Sequence, residues 1–446
     1  MAKIVMIGAG SSFCGRLALD VMSREALRDS TFCMCDKHEG RLAMSASFVR
    51  KAAEKFGVPT RIVTSTDRTE LLPDADFVVT AIRVGGREFQ RFVKEIPEKY
   101  GVNQVWADTI GVGGVFKLLR AGPVQSQFFR DMERLCPNAL VLNHTNPMAM
   151  LSWFHLVDSP MRYVGLCHGV QGTGMKLARL VGVPEHEVNY TVAGVNHLAW
   201  FLSLRHGKTD LYPALREVAK DPQQVGAEVV RFELMRQFGY FPTESSPHDS
   251  EYLPYFRRTE ALRDSYFPEA AVKKEQADRA RGPLPLWRLW GPWMNGKAEM
   301  PEPELRQSHE YTIGIMDAVV TNKPFVFNGN VLNHGLIDNL PQGCCAEVPC
   351  VADAQGVTPM RIGALPPQLA ALCRSNVAVQ ELAVRALLDR DREAAFHACA
   401  LDPLTAACVS LPQIRRMFDE LWDACSDVLA WFDPAHTGRV PELVRK

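Results

Sequence analysis

A thiol and an imidazole stand side by side at Cys167 and His168, in the stretch VGLCHGVQGT, where an apolar run stops and glycines begin. Further on, GVNHLAW supplies a second imidazole, His197, after another apolar run. One thiolate and one imidazole can hold a divalent metal and leave positions open for water and substrate oxygens. Each residue alone also reads as ordinary interior, a buried reduced thiol or a satisfied polar side chain. A ligating cysteine must be a thiolate, which a bound cation favours. Adjacent residues of an extended chain point to opposite faces, so His168 should leave the metal to Cys167 and stay free for proton transfer.

Such residues need a scaffold that gathers strand ends along one edge. KIVMI stops at Gly8-Ala9-Gly10, and a helical stretch follows from Ser12 to Ser23. TFCMC ends at Asp36, a helix over about 40–56 leads to RIVTS, and ADFVVTAI ends at Arg83-Val84-Gly85-Gly86. A polar stretch comes next, then helical spacing in GPVQSQFFRDMERLC, then NALVLNHTNP and RYVGLCHG. Strands apolar on both faces, alternating with helices, predict a doubly wound parallel sheet of the Rossmann type, an NAD-binding domain over residues 1–190. Residues 191–446 are expected to form a C-terminal mixed α/β (α+β) domain for substrate, metal and oligomerisation. There TVAGVNHLAWFLSL reads as one long strand or a hairpin arm. Residues 212–240, 300–322 and most of 366–432 read as helices, and LIDNLPQGCCAEVPCVADAQGV as strands and turns. The Pro- and Trp-rich GPLPLWRLWGPWMNGKAEMPEPE, with Trp287, Trp290 and Trp293, reads as a loop or flap.

Ligands of an open parallel sheet bind at the carboxyl ends of its strands. GAGSSFCG opens a helix directly after the first strand, where free N–H groups and the dipole suit a pyrophosphate. Gly8 and Gly10 allow the turn, with Ser11 at the helix start; the third glycine of the usual fingerprint is replaced by Phe13, and Gly15 follows two residues later. Asp36 closes the second strand, where a carboxylate meets ribose hydroxyls and favours NAD over NADP. Asn143 is a turn residue or a contact, while Asn146, held extended by Pro147, points to substrate.

The bulk composition narrows the partners. A formal net charge of −1 over 446 residues offers no basic field, so no nucleic acid and no anionic membrane is expected. No run approaches the roughly 20 apolar residues of a membrane span. The start MAKIVMIGAGSS is no secretory signal, and a cytoplasmic protein is expected. Twelve scattered cysteines without a CxxC pair read as reduced thiols, including the adjacent Cys344 and Cys345.

GAGSS, ADTIGVGG, NPMAM, GLCHGVQGT, GVNHLAW, ESSPHDSEYLPYF and GLIDNLPQGCC, in that order, together resemble glycoside hydrolase family 4, the NAD- and Mn-dependent glycosidases. CHGVQGT, ESSPHDSEY and GLIDNLPQGCCAEV are most similar to its α-galactosidase (melibiase) branch. The resemblance implies a lactate/malate dehydrogenase-like fold, a homodimer or homotetramer, and a small-molecule sugar as substrate. It implies Cys167 and His197 as metal ligands, Mn above all, and Asn146 as a substrate contact. It places the proton donor at His168 and the base at Tyr252, with Tyr255, Glu251 and His248 close by, and makes Asp108 a further site residue. It implies hydrolysis of α-galactosides by oxidation, elimination, addition and reduction with NAD, instead of the usual pair of carboxylates. A neutral tyrosine is a poor base near neutral pH, so neighbouring positive charge must lower its pKa.

Two departures from the family pattern stand out: Val112 replaces a proline in what reads as a loop near the site, and Gly169 follows His168 where melibiases carry serine. Arg83 and Arg87 could hold a phosphate or carboxylate, and CHG argues against a phosphorylated sugar. An α-glucosidase or α-galacturonidase of the same family, or a malate/lactate-type NAD-dependent dehydrogenase, are the alternatives.

Overall fold

Ile4 and Met6 pack into one hydrophobic core and Val5 and Ile7 into another, so the first strand is buried on both faces. That is why its sequence is a continuous apolar run without alternation. The computed structural model describes residues 1–267, 286–305 and 307–432; the side chains of Arg87, Glu88 and Trp287 lie outside that description. Six short strands form the parallel part: β1 (Lys3–Ile7), β2 (Thr31–Cys35), β3 (Arg61–Ser65), β4 (Phe77–Thr80), β5 (Leu140–Asn143) and β6 (Arg162–Gly165). Their order, β3-β2-β1-β4-β5-β6, is the doubly wound order of dinucleotide-binding folds.

The sheet does not stop at β6. It continues through β10 (Phe325–Leu332), β11 (Cys345–Asp353), β7 (Val188–Val195), β8 (Leu198–His206) and β9 (Thr209–Asp210), with β12 (Gly356–Pro359) paired to β11. This second part is antiparallel, and it joins the first where Asn330 of β10 pairs with Gly165 of β6. Asn330 also pairs with Glu347, and Glu347 with Gly194 of β7, so Gly165, Asn330, Glu347 and Gly194 form one row across the sheet. β7 and β8 are a hairpin, so TVAGVNHLAWFLSL is neither one strand nor a single arm but holds most of both arms, with Asn196-His197 as the turn. His197 has φ 64°, an uncommon conformation for a non-glycine residue.

Four expectations need correction. The polar stretch after β4 is a helix, Gly86–Lys99, which buries Phe89 and Val93. The following helix starts at Gly111 and runs to Leu135, so Val112 lies in its first turn and not in a loop. The Trp-rich segment contains a helix, Leu286–Met294, despite Pro292. Trp290 and Trp293 bury their rings against Phe48, at centroid distances of 5.2 and 6.2 Å. A Cβ on Gly15 would lie 2.6 Å from the Trp290 ring, so the glycine lets that ring approach the helix Ser12–Ser23. Two buried indoles contribute on the order of several kcal/mol, enough to hold a helix its composition disfavours. Finally, the helix expected over 300–322 spans only Tyr311–Thr321. Pro301 and Pro303 have no N–H to continue it backwards, and Glu302 between them pairs with Lys51 and Lys55 at 2.7 Å each.

All twelve cysteines are free thiols, and most, including Cys344 and Cys345, are buried. Among the described residues no helix is long and apolar enough to cross a membrane.

Candidate active site

The turn after β1 is built for close backbone approach. Gly8 has φ 97°, and a Cβ there would meet the Ala81 carbonyl oxygen at 2.2 Å. The Gly10 N–H donates to Asp36 Oδ2 at 2.8 Å, and the Ser11 hydroxyl donates to the Gly8 carbonyl at 2.9 Å. Asp36 Oδ1 accepts the His38 N–H at 3.0 Å, so this carboxylate ties the end of β2 to the glycine turn. At the end of β5, Asn143 takes the turn role. Its Oδ1 accepts from Thr80 Oγ1 at 2.8 Å and from the Thr145 N–H at 3.0 Å. Asn146, joined to Pro147 by a cis peptide bond, makes no side-chain hydrogen bond among the described residues.

Cys167 follows β6 and His197 caps the β7–β8 hairpin, and the two meet with Sγ 3.2 Å from Nε2. A third donor, Glu244, brings Oε2 to 3.4 Å from the same Nε2. One ligand atom from each of these residues lies within 4.8 Å of the others, which is the arrangement of a metal site with three protein donors. Burial drives the His197 imidazole down to about 4, against the pull of Glu244 and Asp108. Burial acts upward on Glu244, but the neighbouring imidazoles and the Ser245 N–H outweigh it and hold the carboxyl at about 2. Near neutral pH the pair is therefore a neutral ring and a carboxylate, the forms a cation binds. Burial, with Glu347 and Glu244 adding to it, lifts the Cys167 thiol well above its ordinary value, so a cation must displace its proton. His168 is exposed at the start of the helix Gly169–Leu180, outside the trio.

The helix Ser246–Tyr252 closes the other side. The Tyr252 hydroxyl is buried; it donates to Thr109 Oγ1 at 2.6 Å and lies 3.3 Å from His197 Nδ1. Thr109 Oγ1 in turn lies 2.7 Å from His248 Nε2. Burial raises the tyrosine well above its usual value, and the carboxylates of Asp108 and Glu244 add to that. Asp108 pairs with Lys117 at 3.2 Å and lies 3.8 Å from His248 Nε2. Burial acts upward on Asp108, and Lys117, His248 and His197 together bring its carboxyl below the usual range. Glu251 points elsewhere: its carboxylate accepts the N–H groups of Val105, Trp106 and Ala107 at 2.7, 2.6 and 3.1 Å. Tyr255 faces solvent instead of this cluster.

Beyond Asp108 the charge turns positive. Arg120 is 3% exposed, and its Nε and Nη1 have no hydrogen-bond partner among the described residues. Its guanidinium lies over the Phe89 ring at 3.5 Å, near exposed Arg83 and half-buried Lys117. Burial, with Arg83 adding to it and Cys425 opposing it, lowers Arg120 to about 9.

Sequence reasoning singled out neither Glu244 nor Glu347. Glu244 opens the stretch ESSPHDSEY, but its carboxylate meets Cys167 and His197 only through the fold. Glu347 lies in the sheet row beside them; burial raises it to about 8, with Glu244 adding to that and the nearby Asn196 side chain opposing it.

This fold and this edge cluster are those of a dehydrogenase-like α/β protein equipped for metal chemistry. A malate dehydrogenase from Plasmodium falciparum superposes with a TM-score of 0.52 over 87% of this chain and 99% of its own, at 13% identity. Residues 3–183 match the family 4 glycosyl hydrolases and residues 192–405 match the C-terminal domain of that family, so the chain belongs to it. An alpha-galactosidase of Bacillus subtilis is 38% identical, covering 96% of this chain and 99% of its own. One from Rhizobium meliloti is 33% identical over 94% of this chain and 87% of its own. A 6-phospho-alpha-glucosidase from gut microorganisms, in complex with NAD and Mn²⁺, has the same fold with a TM-score of 0.78 at 19% identity, over 95% of this chain and 98% of its own.

Proposed function

We propose that this glycoside hydrolase cleaves α-galactosides with NAD and a divalent metal, Mn²⁺ first, in the cytoplasm. The observation that carries this reading is the thiol, imidazole and carboxylate at one edge of a dinucleotide-type sheet. Its donors are 3.2 and 3.4 Å apart, in a chain 38% identical to an alpha-galactosidase. The residues fit both groups. The donor set suits a borderline divalent cation, and the Gly8 turn has no room for a Cβ.

Cys167, His197 and Glu244 would hold the cation, and Gly8, Gly10, Ser11 and Asp36 the dinucleotide, with Arg83 beside it. When bound, NAD supplies a hydride acceptor and donor at a sugar carbon, and the metal polarises the neighbouring oxygens. Asn146, with its amide free of protein partners, orients the sugar. Tyr252 takes the proton from C2 and passes its own through Thr109 Oγ1 to His248 Nε2, which Asp108 steadies. Exposed His168 gives a proton to the leaving-group oxygen. The chain works as a homodimer or homotetramer, with a Rossmann half over 1–190 and a C-terminal half over 191–446, and needs neither nucleic acid nor membrane.

The test is nitrophenol release from p-nitrophenyl α-galactoside with NAD⁺, Mn²⁺ and a reductant. Release that requires both cofactors, without net NADH, supports the reading; net absorbance of NADH would make the protein a dehydrogenase. The Arg120 guanidinium, whose Nε and Nη1 find no hydrogen-bond partner among the described residues, favours with nearby Arg83 and Lys117 a second reading, an acidic sugar such as an α-galacturonide. Faster cleavage of the galacturonide than of the galactoside would select it.

A further inference from the structure

Trp106 is a large aromatic left half exposed, at 50%, in a loop whose backbone N–H groups from Val105 to Ala107 are all engaged. Its N–H is held by Glu251 Oε1 at 2.6 Å and its carbonyl accepts from Gln90 Nε2 at 3.1 Å. The Val105 carbonyl is held by Lys94, and the N–H groups of Val105 and Ala107 by the same Glu251 carboxylate. A buried carboxylate with three N–H donors fixes the loop, so the exposed indole is presented rigidly. Held so, the indole offers an exposed aromatic face to a ligand beside it.

The neighbours give the place of that surface. The Trp106 ring centroid lies 6.3 Å from that of His248, and His248 lies 4.6 Å from His197. The indole is thus two ring-steps from the imidazole that would hold the metal, on the side of Asp108 and Thr109. A sugar ring seated at the metal leaves its attached group at about that reach. Aromatic faces attract the C–H face of a pyranose by dispersion and their negative quadrupole.

We propose that Trp106 is the stacking platform for the leaving-group sugar of the substrate, held in place by Glu251. This rests on the glycosidase reading above, and it makes the preferred substrate an oligosaccharide with a pyranose on the leaving side.

The experiment compares kcat/KM for an α-galactosyl glucose disaccharide and for methyl α-galactoside, with NAD⁺, Mn²⁺ and reductant, in the full chain. Trp106→Ala should lower the disaccharide-to-methyl ratio about tenfold, mainly through KM, and Trp106→Tyr should restore most of it. An unchanged ratio, whether both rates fall together or neither falls, overturns the platform. If the unsubstituted protein cleaves neither glycoside, the glycosidase reading fails by itself. The platform is then judged by calorimetric titration with the disaccharide and with galactose: Trp106→Ala should erase the difference in affinity, and a difference that persists refutes the proposal.

Discussion

Replacing Glu244 by glutamine should cripple metal binding without unfolding the protein. Donors bonded to one cation at ~2.0–2.3 Å, at angles of about 90–110°, stand ~3–3.8 Å apart. The observed 3.2 and 3.4 Å fall in that interval, so the cation enters with little rearrangement. Losing a partner one shell out from a metal costs about 10- to 100-fold in affinity. A charged ligand should cost about 100-fold or more, which is ~2.8 kcal/mol at 1.4 kcal/mol per tenfold. Calorimetric titration of Mn²⁺ into the NAD-loaded protein measures it. His197 is pushed to about 4, so it is already neutral at working pH, and the remaining proton to displace is that of the raised Cys167 thiol. Affinity should therefore rise about tenfold per pH unit from about pH 6 to 8, in both proteins, with Glu244→Gln offset below. Affinity within about twofold of the parent would remove Glu244 from the ligand set, and a flat pH profile would remove the thiolate.

Cys167→Ser should abolish Mn²⁺-dependent activity while NAD⁺ still binds; full activity would contradict the ligand assignment, and a fluorescence titration reads the dinucleotide. Tyr252→Phe should suppress deuterium exchange at C2 of the sugar, followed by NMR, and unchanged exchange would move the base elsewhere. Gly8→Ala forces a Cβ to 2.2 Å from the Ala81 oxygen at φ 97°. It should cost on the order of 2 kcal/mol or more, seen as a lower Tm and weaker NAD⁺ binding. Glu347 is raised from 4.5 to about 8, so the folded state binds its proton more tightly than the unfolded state does. That contribution is complete below the unfolded value and is lost as pH rises through the interval. Glu347→Gln should flatten this loss and raise Tm relative to the parent near pH 8, by thermal unfolding in the absence of metal.

The doubly wound half was legible because a strand buried on both faces reads as a short apolar run, and Lys3–Ile7 and Thr31–Cys35 are such runs. The hairpin was only half legible: TVAGVNHLAWFLSL reads as one long strand or one arm, because Asn196-His197 carries no glycine or proline to mark the turn. The helix Gly86–Lys99 was missed although Phe89, Phe92, Val93 and Ile96 have helical spacing, because Gly85, Gly86 and the charged residues drew attention to a loop. The Trp helix was missed for a different reason: prolines and glycine argue against it locally, and only tertiary burial of Trp290 and Trp293 overrides them. At the site, the ends of two apolar runs drew out Cys167 and His197 but did not pair them; the pairing came from the resemblance to the family. Glu244 was drawn out by neither, since nothing local distinguishes it from the carboxylates around it.

The row Gly165, Asn330, Glu347, Gly194 has a consequence for biosynthesis. Cys167 and His197 are separated in the sheet by β10 and β11, which are translated after both. A growing polypeptide that ends before Phe325 already contains Cys167, His197 and Glu244 but lacks the two rungs that set the spacing of the first two. A cation held by all three would therefore be captured late, once the C-terminal strands have slotted between the earlier ones, and its binding would report that the whole sheet has zipped shut.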